Sequence, residues 1–222
     1  MDPLVFIVAH PDDVSDGMGG TAWRLKDSYK LYVLCATRGD KGVPGQDGAA
    51  TAAIREKEEA AACKMLNADL TFLGQNDGEV FAGREVCQQV GGILKEINPK
   101  AVFTIWPVDR HPDHAAVSGI TTKAVRLAGI NPDVYYCMEG RSQTMHFNPD
   151  IYIDITPVIK EKLKLIRCHV CQNTDDRMAR HFLEQAKDRG KEAGCEFAEG
   201  FKLVDANRLQ EDYLLKDLAV KR

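Results

Sequence analysis

VFIVAHPDDVSDGMGG, residues 5–20, carries five apolar residues, Val5 to Ala9, straight into a histidine, a proline and two adjacent aspartates. The apolar run is short and β-rich, which reads as a buried strand over 4–9. Carboxylates placed side by side at a strand end repel one another and are costly to desolvate. A bound dication offsets that repulsion. Glycines 17, 19 and 20 then open a helical segment, packing it closely on the strand. Strand, acidic loop and helix form the first unit of an α/β fold.

Working outward, the pattern repeats. Strands are expected at 30–37, 69–74 and 101–106, with further strands at 133–138 and 150–155. Helices are expected at 51–66, 83–97 and 112–129, and near 157–170 and 176–193. In 51–66, Ile54, Ala61, Met65 and Leu66 lie on one side as an apolar stripe. Asn98-Pro99 stops the third helix, and Pro112 and Gly129 sit where a helix starts and ends. The expected fold is α/β, three-layered and Rossmann-like, with a mainly parallel sheet flanked by helices. The expected domain organisation is one domain over residues 1–222.

Ligands in such sheets bind beyond the carboxyl ends of the strands. HPDD (10–13) follows the first strand and RHPDH (110–114) the fourth. In the common doubly wound strand order those strands are neighbours, so the two clusters meet. His10, Asp13 and His114 supply two imidazoles and a carboxylate, the ligand count of a catalytic zinc site that keeps a water. Asp12 is left over as a general base for that water. His111 would face the substrate carbonyl and stabilise an oxyanion, with Asp113 orienting its imidazole.

The chain resembles the N-acetylglucosaminyl deacetylase family that includes the PIG-L and LmbE-like proteins. The matching residues are Ala9-His10-Pro11-Asp12-Asp13 with Gly17, Gly19, Gly20 and Thr21; Thr37-Arg38-Gly39-Asp40-Lys41-Gly42; Arg55 and Glu58; and His111 to His114. Weaker matches are Tyr152 to Thr156 with Lys162 or Lys164, His169-Val170-Cys171-Gln172, and Ala198-Glu199-Gly200-Phe201. The resemblance implies one Zn2+ per subunit, or another divalent metal, on His10, Asp13 and His114. It implies Asp12 as the base and His111, backed by Asp113, as the oxyanion stabiliser. The implied reaction removes an N-acetyl group from an N-acetylglucosamine-containing small molecule, releasing acetate. Arg55 is expected to orient Asp12 or bind substrate. The stretch 138–149 is expected at the rim, with Arg141 and His146 near the sugar. The chain departs from the family at Val14-Ser15, where a glutamate is usual, and at Cys171, where the family has serine. Two other readings are an amidase on thiol-sugar conjugates and a non-catalytic zinc-binding protein.

Composition narrows the rest. The net charge is -4 over 222 residues, and with a pI of about 5.9 nucleic acid is an unexpected partner. No apolar run reaches the ~20 residues of a membrane span. A strand beginning by residue 4 leaves no room for a signal peptide. Seven scattered cysteines point to a reducing cytoplasm rather than a disulfide framework. The C-x-x-C at Cys168 and Cys171 lacks a second pair for a zinc site, and is read as two thiols on a continuing amphipathic helix. G-x-G-G at 17–20 has the wrong spacing and position for a dinucleotide loop. A homo-oligomer is expected.

Overall fold

The structure is a computed structural model, and it describes residues 1–137, 140, 143–204 and 213–220. Five parallel strands come first: β1 (Pro3–Val8), β2 (Lys30–Cys35), β3 (Ala68–Phe72), β4 (Ala101–Ile105) and β5 (Asp133–Cys137). Between them run α1 (Gly19–Leu25), α2 (Gly48–Met65), α3 (Arg84–Ile97) and α4 (Pro112–Ala128). The chain then adds β6 (Ile151–Asp154), α5 (Ile159–Ile166), α6 (Arg177–Ala193) and β7 (Ala198–Leu203). The sheet order is β3-β2-β1-β4-β5-β7-β6. The expected α/β fold with a mainly parallel sheet is therefore what the chain adopts.

β1 lies at the centre because it can be buried on both faces: Leu4 through Ala9 have no exposed surface. It pairs with β2 on one side and β4 on the other, with Val8 beside Cys35 and Ile7 beside Thr104. Phe6, Phe103 and Tyr135 stack across three strands, with ring centroids 4.8 and 4.9 Å apart. α3 and α4 pack together, and α5 touches α1, α2 and α6, so the helices form two layers. Each helix end has its local cause. Asn98 closes α3 in the left-handed region ahead of Pro99, Pro112 starts α4, and Gly129 (φ +67°) ends it.

Three expectations need correction. β7 was not anticipated as a strand: it enters between β5 and β6, antiparallel to both. Its alternation is blurred because Glu199 and Gly200 are buried for reasons of their own. The helix expected near 157–170 ends at Ile166, and the chain turns back so that His169 is buried while Val170 is exposed. Cys168 and Cys171 therefore lie on a turn, not on a continuing helix. The stripe on α2 holds only at its end, where Leu66 is buried and Met65 packs against the core, and fails at Ile54 and Ala61. Ile54 is 38% exposed, and the buried face carries Thr51, Arg55, Glu59, Ala62 and Cys63. That face covers the acidic loop after β1, so polar partners are what it needs.

Candidate active site

A cleft of about 650 Å³ opens at the carboxyl ends of the parallel strands. The loops after β1, β2, β3 and β4 supply its floor, and the start of α6 closes one side through Arg177, Met178, His181 and Phe182. The two histidine clusters do converge. The ring centroids of His10 and His114 are 5.2 Å apart, those of His10 and His111 4.6 Å, and those of His111 and His114 4.8 Å.

In each imidazole one nitrogen faces a polar partner, which leaves the other for the cleft. His10 Nε2 lies 3.1 Å from Asp113 Oδ2 and 3.2 Å from Asp77 Oδ1, so that nitrogen carries the proton and Nδ1 offers a lone pair. His114 Nδ1 lies 3.3 Å from Asp109 Oδ1, leaving Nε2. Asp13 Oδ2 accepts from the backbone N–H groups of Ala9 and His10, both at 2.8 Å. Asp13 Oδ1 then stands 3.8 Å from His10 Nδ1 and 3.8 Å from His114 Nε2. Ligands on ~2.1 Å bonds at tetrahedral angles sit about 3.4 Å apart. Both of these edges lie within about half an ångström of that spacing, and His10 and His114 each have a carboxylate behind the ring, as metal-bound histidines do. One ring nitrogen from each of His10, His111 and His114 lies within 4.8 Å of the other two, and the same holds for one donor atom each from His10, Asp77 and Asp113. The second group is the hydrogen-bonded shell just described.

Charge points the same way. Asp12, Asp13, Asp77 and Asp113 are all buried at this end of the sheet, and the Arg55 guanidinium pairs with Asp12. Burial pushes Asp12 up to about 6 against the pull of Arg55. Burial also opposes ionisation of Asp13, but hydrogen bonds from His10 and the charges of His114 and His10 hold its carboxyl well below the usual range. Burial lowers His111, helped by the charges of His10 and His114. His111 Nδ1 accepts the Asp113 backbone N–H at 3.3 Å, so Nε2 carries the proton.

Asp12 has φ +122°, a conformation that side-chain-bearing residues rarely adopt. It is gripped from α2. Arg55 donates to Asp12 Oδ2 at 2.8 Å, to Pro11 O at 2.5 Å and to Gly39 O at 3.3 Å. A Cβ on Gly39 or Gly42 would run into that guanidinium, which is why the loop after β2 is glycine-rich there. One turn further along α2, Glu59 Oε2 accepts the Asp12 backbone N–H at 3.1 Å. Burial, reinforced by Asp12 and Asp13, pushes Glu59 up to about 8.

The structure revises several roles. The Asp113 carboxylate does not back His111. It holds His10 and accepts the N–H groups of Gly78 at 2.6 Å and Val80 at 3.1 Å. Its geometry at a helix start directs the side chain toward the preceding strand loops. Arg55 lines the cleft and donates to Asp12 Oδ2 and to the backbone oxygens of Pro11 and Gly39, a placement that suits orienting Asp12. His146 lies outside the cleft, in a separate groove with Phe147, Asp188 and Arg189. Arg141 lies outside the described residues. Glu58 turns away and accepts from Cys171 N at 2.9 Å. Glu59, Asp77 and Asp109 were missed, though Asp77 and Asp109 each follow a parallel strand by a few residues, the placement that exposed HPDD. A buried ion pair also supports the loop from behind. Lys162 Nζ donates to Ser15 O, Asp16 O and Glu199 Oε1, while Glu199 caps the Gly20 and Thr21 N–H groups of α1.

Comparison with known proteins gives the family and the fold. The family model described as GlcNAc-PI de-N-acetylase matches residues 5–125. Diacetylchitobiose deacetylase of Thermococcus kodakarensis is 29% identical over 220 residues, 90% of this chain and 82% of that one. The solved N,N'-diacetylchitobiose deacetylase from Pyrococcus horikoshii superposes with a TM-score of 0.82 at 28% identity, covering 91% of this chain and 84% of that chain. A more distant relative, 4-oxalmesaconate hydratase of Pseudomonas putida, is 23% identical over 207 residues, 84% of this chain and 79% of that one.

Proposed function

The chain belongs to the GlcNAc-PI de-N-acetylase family, and from that premise we propose that it hydrolyses the acetamide of an N-acetylglucosamine-containing small molecule to acetate and the free amino sugar. The observation that carries the reading is Asp13 Oδ1 equidistant from His10 Nδ1 and His114 Nε2, 3.8 Å from each. Those three residues would hold a divalent ion, zinc by the nitrogen and oxygen character of the donors. When bound, such an ion acidifies water and polarises a carbonyl.

The chain's own residues do the rest. Asp12 removes the proton from the attacking water as oxygen adds to the acetamide carbon. Arg55 occupies Asp12 Oδ2, so Oδ1 is the oxygen that takes this proton. A carboxyl held near 6 is ionised at neutral pH yet basic enough for the transfer. His111, protonated on Nε2 and neutral overall, donates to the developing oxyanion. As the carbon–nitrogen bond breaks, the proton held by Asp12 passes to the leaving amine. Asp113 acts through His10, fixing its tautomer.

Acetate release from N,N'-diacetylchitobiose and from N-acetylglucosamine, with bound metal measured in the same preparations, tests the reading. Turnover that disappears with the metal, and more than ~100-fold loss in Asp12→Asn, is expected. A metal-loaded protein that releases no acetate but hydrates an unsaturated dicarboxylate would replace it with a lyase.

A further inference from the structure

We propose that Glu59 is a positioning residue for Asp12, holding the strained Asp12 backbone in the conformation that presents its carboxylate to the cleft. The inference rests on the reading of Asp12 as the general base.

The backbone of Asp12, at φ +122°, is stable only if its surroundings over-determine it. Its N–H is buried, and a buried donor without an acceptor is costly. Glu59 supplies that acceptor at 3.1 Å, from a side chain that is 1% exposed. Arg55 and Glu59 are one helical turn apart on the same face of α2. The first grips the Asp12 side chain and the second its main chain, so α2 fixes Asp12 at two points. Loss of the main-chain grip leaves the N–H orphaned, and a rotation that relieves φ would turn the carboxylate away from the cleft.

Val14-Ser15 stands where the resemblance leads one to expect glutamate, and Asp16, the next residue, meets Asp12 only through its backbone N–H on Asp12 O at 3.0 Å. Ser15 Oγ instead meets His169 Nε2 at 2.9 Å, and the same nitrogen lies 3.8 Å from Glu59 Oε2. The position-15 side chain and Glu59 therefore converge on one spot beneath Asp12. In this chain the carboxylate reaches that spot from the helix. The bland alternative is a polar core residue, since Cys63 Sγ also lies 3.6 Å from Glu59 Oε1. A core role affects stability alone. A positioning role affects turnover at unchanged affinity.

The experiment measures kcat, KM, bound metal and unfolding midpoint for the wild type, Glu59→Leu, Glu59→Asp, Glu59→Gln and Asp12→Asn, with crystal structures of Glu59→Leu and Glu59→Asp. Glu59→Leu is expected to lose ~30-fold in kcat, about 2 kcal/mol of barrier, with KM and metal within ~2-fold and Asp12 φ relaxed to a negative value. Glu59→Asp keeps the acid but is one methylene too short, and should fall similarly; it stands in for Glu59→Leu should that variant not fold. Glu59→Gln keeps an acceptor of full length and should retain at least about a third of kcat. Wild-type kcat in Glu59→Leu or Glu59→Asp, or an unchanged Asp12 φ, overturns the proposal. A rise in KM or loss of metal at intact kcat does so too. Full activity in Asp12→Asn would instead remove the general-base reading, and the two failures are told apart by that variant.

Discussion

Replacing Arg55 with methionine removes the positive charge that lies 2.8 Å from Asp12 Oδ2 while keeping most of the side-chain volume. That charge favours the ionised carboxylate, and burial opposes it. A paired arginine typically lowers an aspartate by ~1–3 pH units, so its loss should raise Asp12 by that much. From a starting point of about 6, the variant would titrate at ~7–9. The base form at pH 7 then falls from roughly nine-tenths to between about a half and a hundredth. The assay is the pH dependence of kcat/KM for acetate release, with bound metal measured at each pH. The acid limb should move alkaline by at least one unit, and much of the lost rate should return near pH 9. Arg55→Lys keeps the charge without the fork and should move the limb less. A loss in Arg55→Met that is the same at every pH would refute the argument, because it would mean Arg55 acts on the substrate and not on Asp12.

Other expectations concern stability, metal and the oxyanion. Lys162→Met leaves Glu199 buried without its cation, so it should cost ~3 kcal/mol or more in urea unfolding; Lys162→Met combined with Glu199→Gln should recover part of that loss. His169, 1% exposed, is pulled down to about 3 by burial, below its unfolded value of ~6.5. Its neutral form therefore stabilises the fold above pH ~6.5, and that stability drains away as pH falls toward 3. Between pH 6.5 and 5 the unfolding free energy should drop by about 2 kcal/mol, and the drop should be absent in His169→Gln. Zinc added to chelator-treated protein should raise the melting temperature in proportion to the logarithm of its concentration; a midpoint indifferent to zinc would count against the His10, Asp13, His114 site. His111→Ala should lower kcat by ~100-fold with little change in KM.

What could be read from the residues was whatever depends on one chain segment and one rule. Apolar runs of strand length, Asn98-Pro99, Pro112 and Gly129 located most elements, and the doubly wound order brought HPDD to HPDH. What could not be read depends on partners distant in the chain. Nothing local tells that Glu59, and not Glu58, turns inward, since both sit on a highly charged helix. Which ring Asp113 supports depends on the distance between β1 and β4 loops, and the structure places it on His10. β7 escaped notice because its buried Glu199 answers to α1 and Lys162, not to the alternation of a strand. The α2 stripe fails at Ile54 because the face under that part of α2 is the acidic loop, where an apolar side would find no complement.

The clasp formed by Glu199 with Lys162 and the start of α1 has a bearing on biosynthesis. All the candidate metal donors, and the base, have been translated by residue 114, but the carboxylate that secures the helix behind them comes from position 199. Domains emerge from the ribosome amino end first at ~5–20 residues per second, so for several seconds the nascent chain carries a metal-binding sequence on an unsecured loop. Productive loading of an ion would then come late, after β7 has joined the sheet.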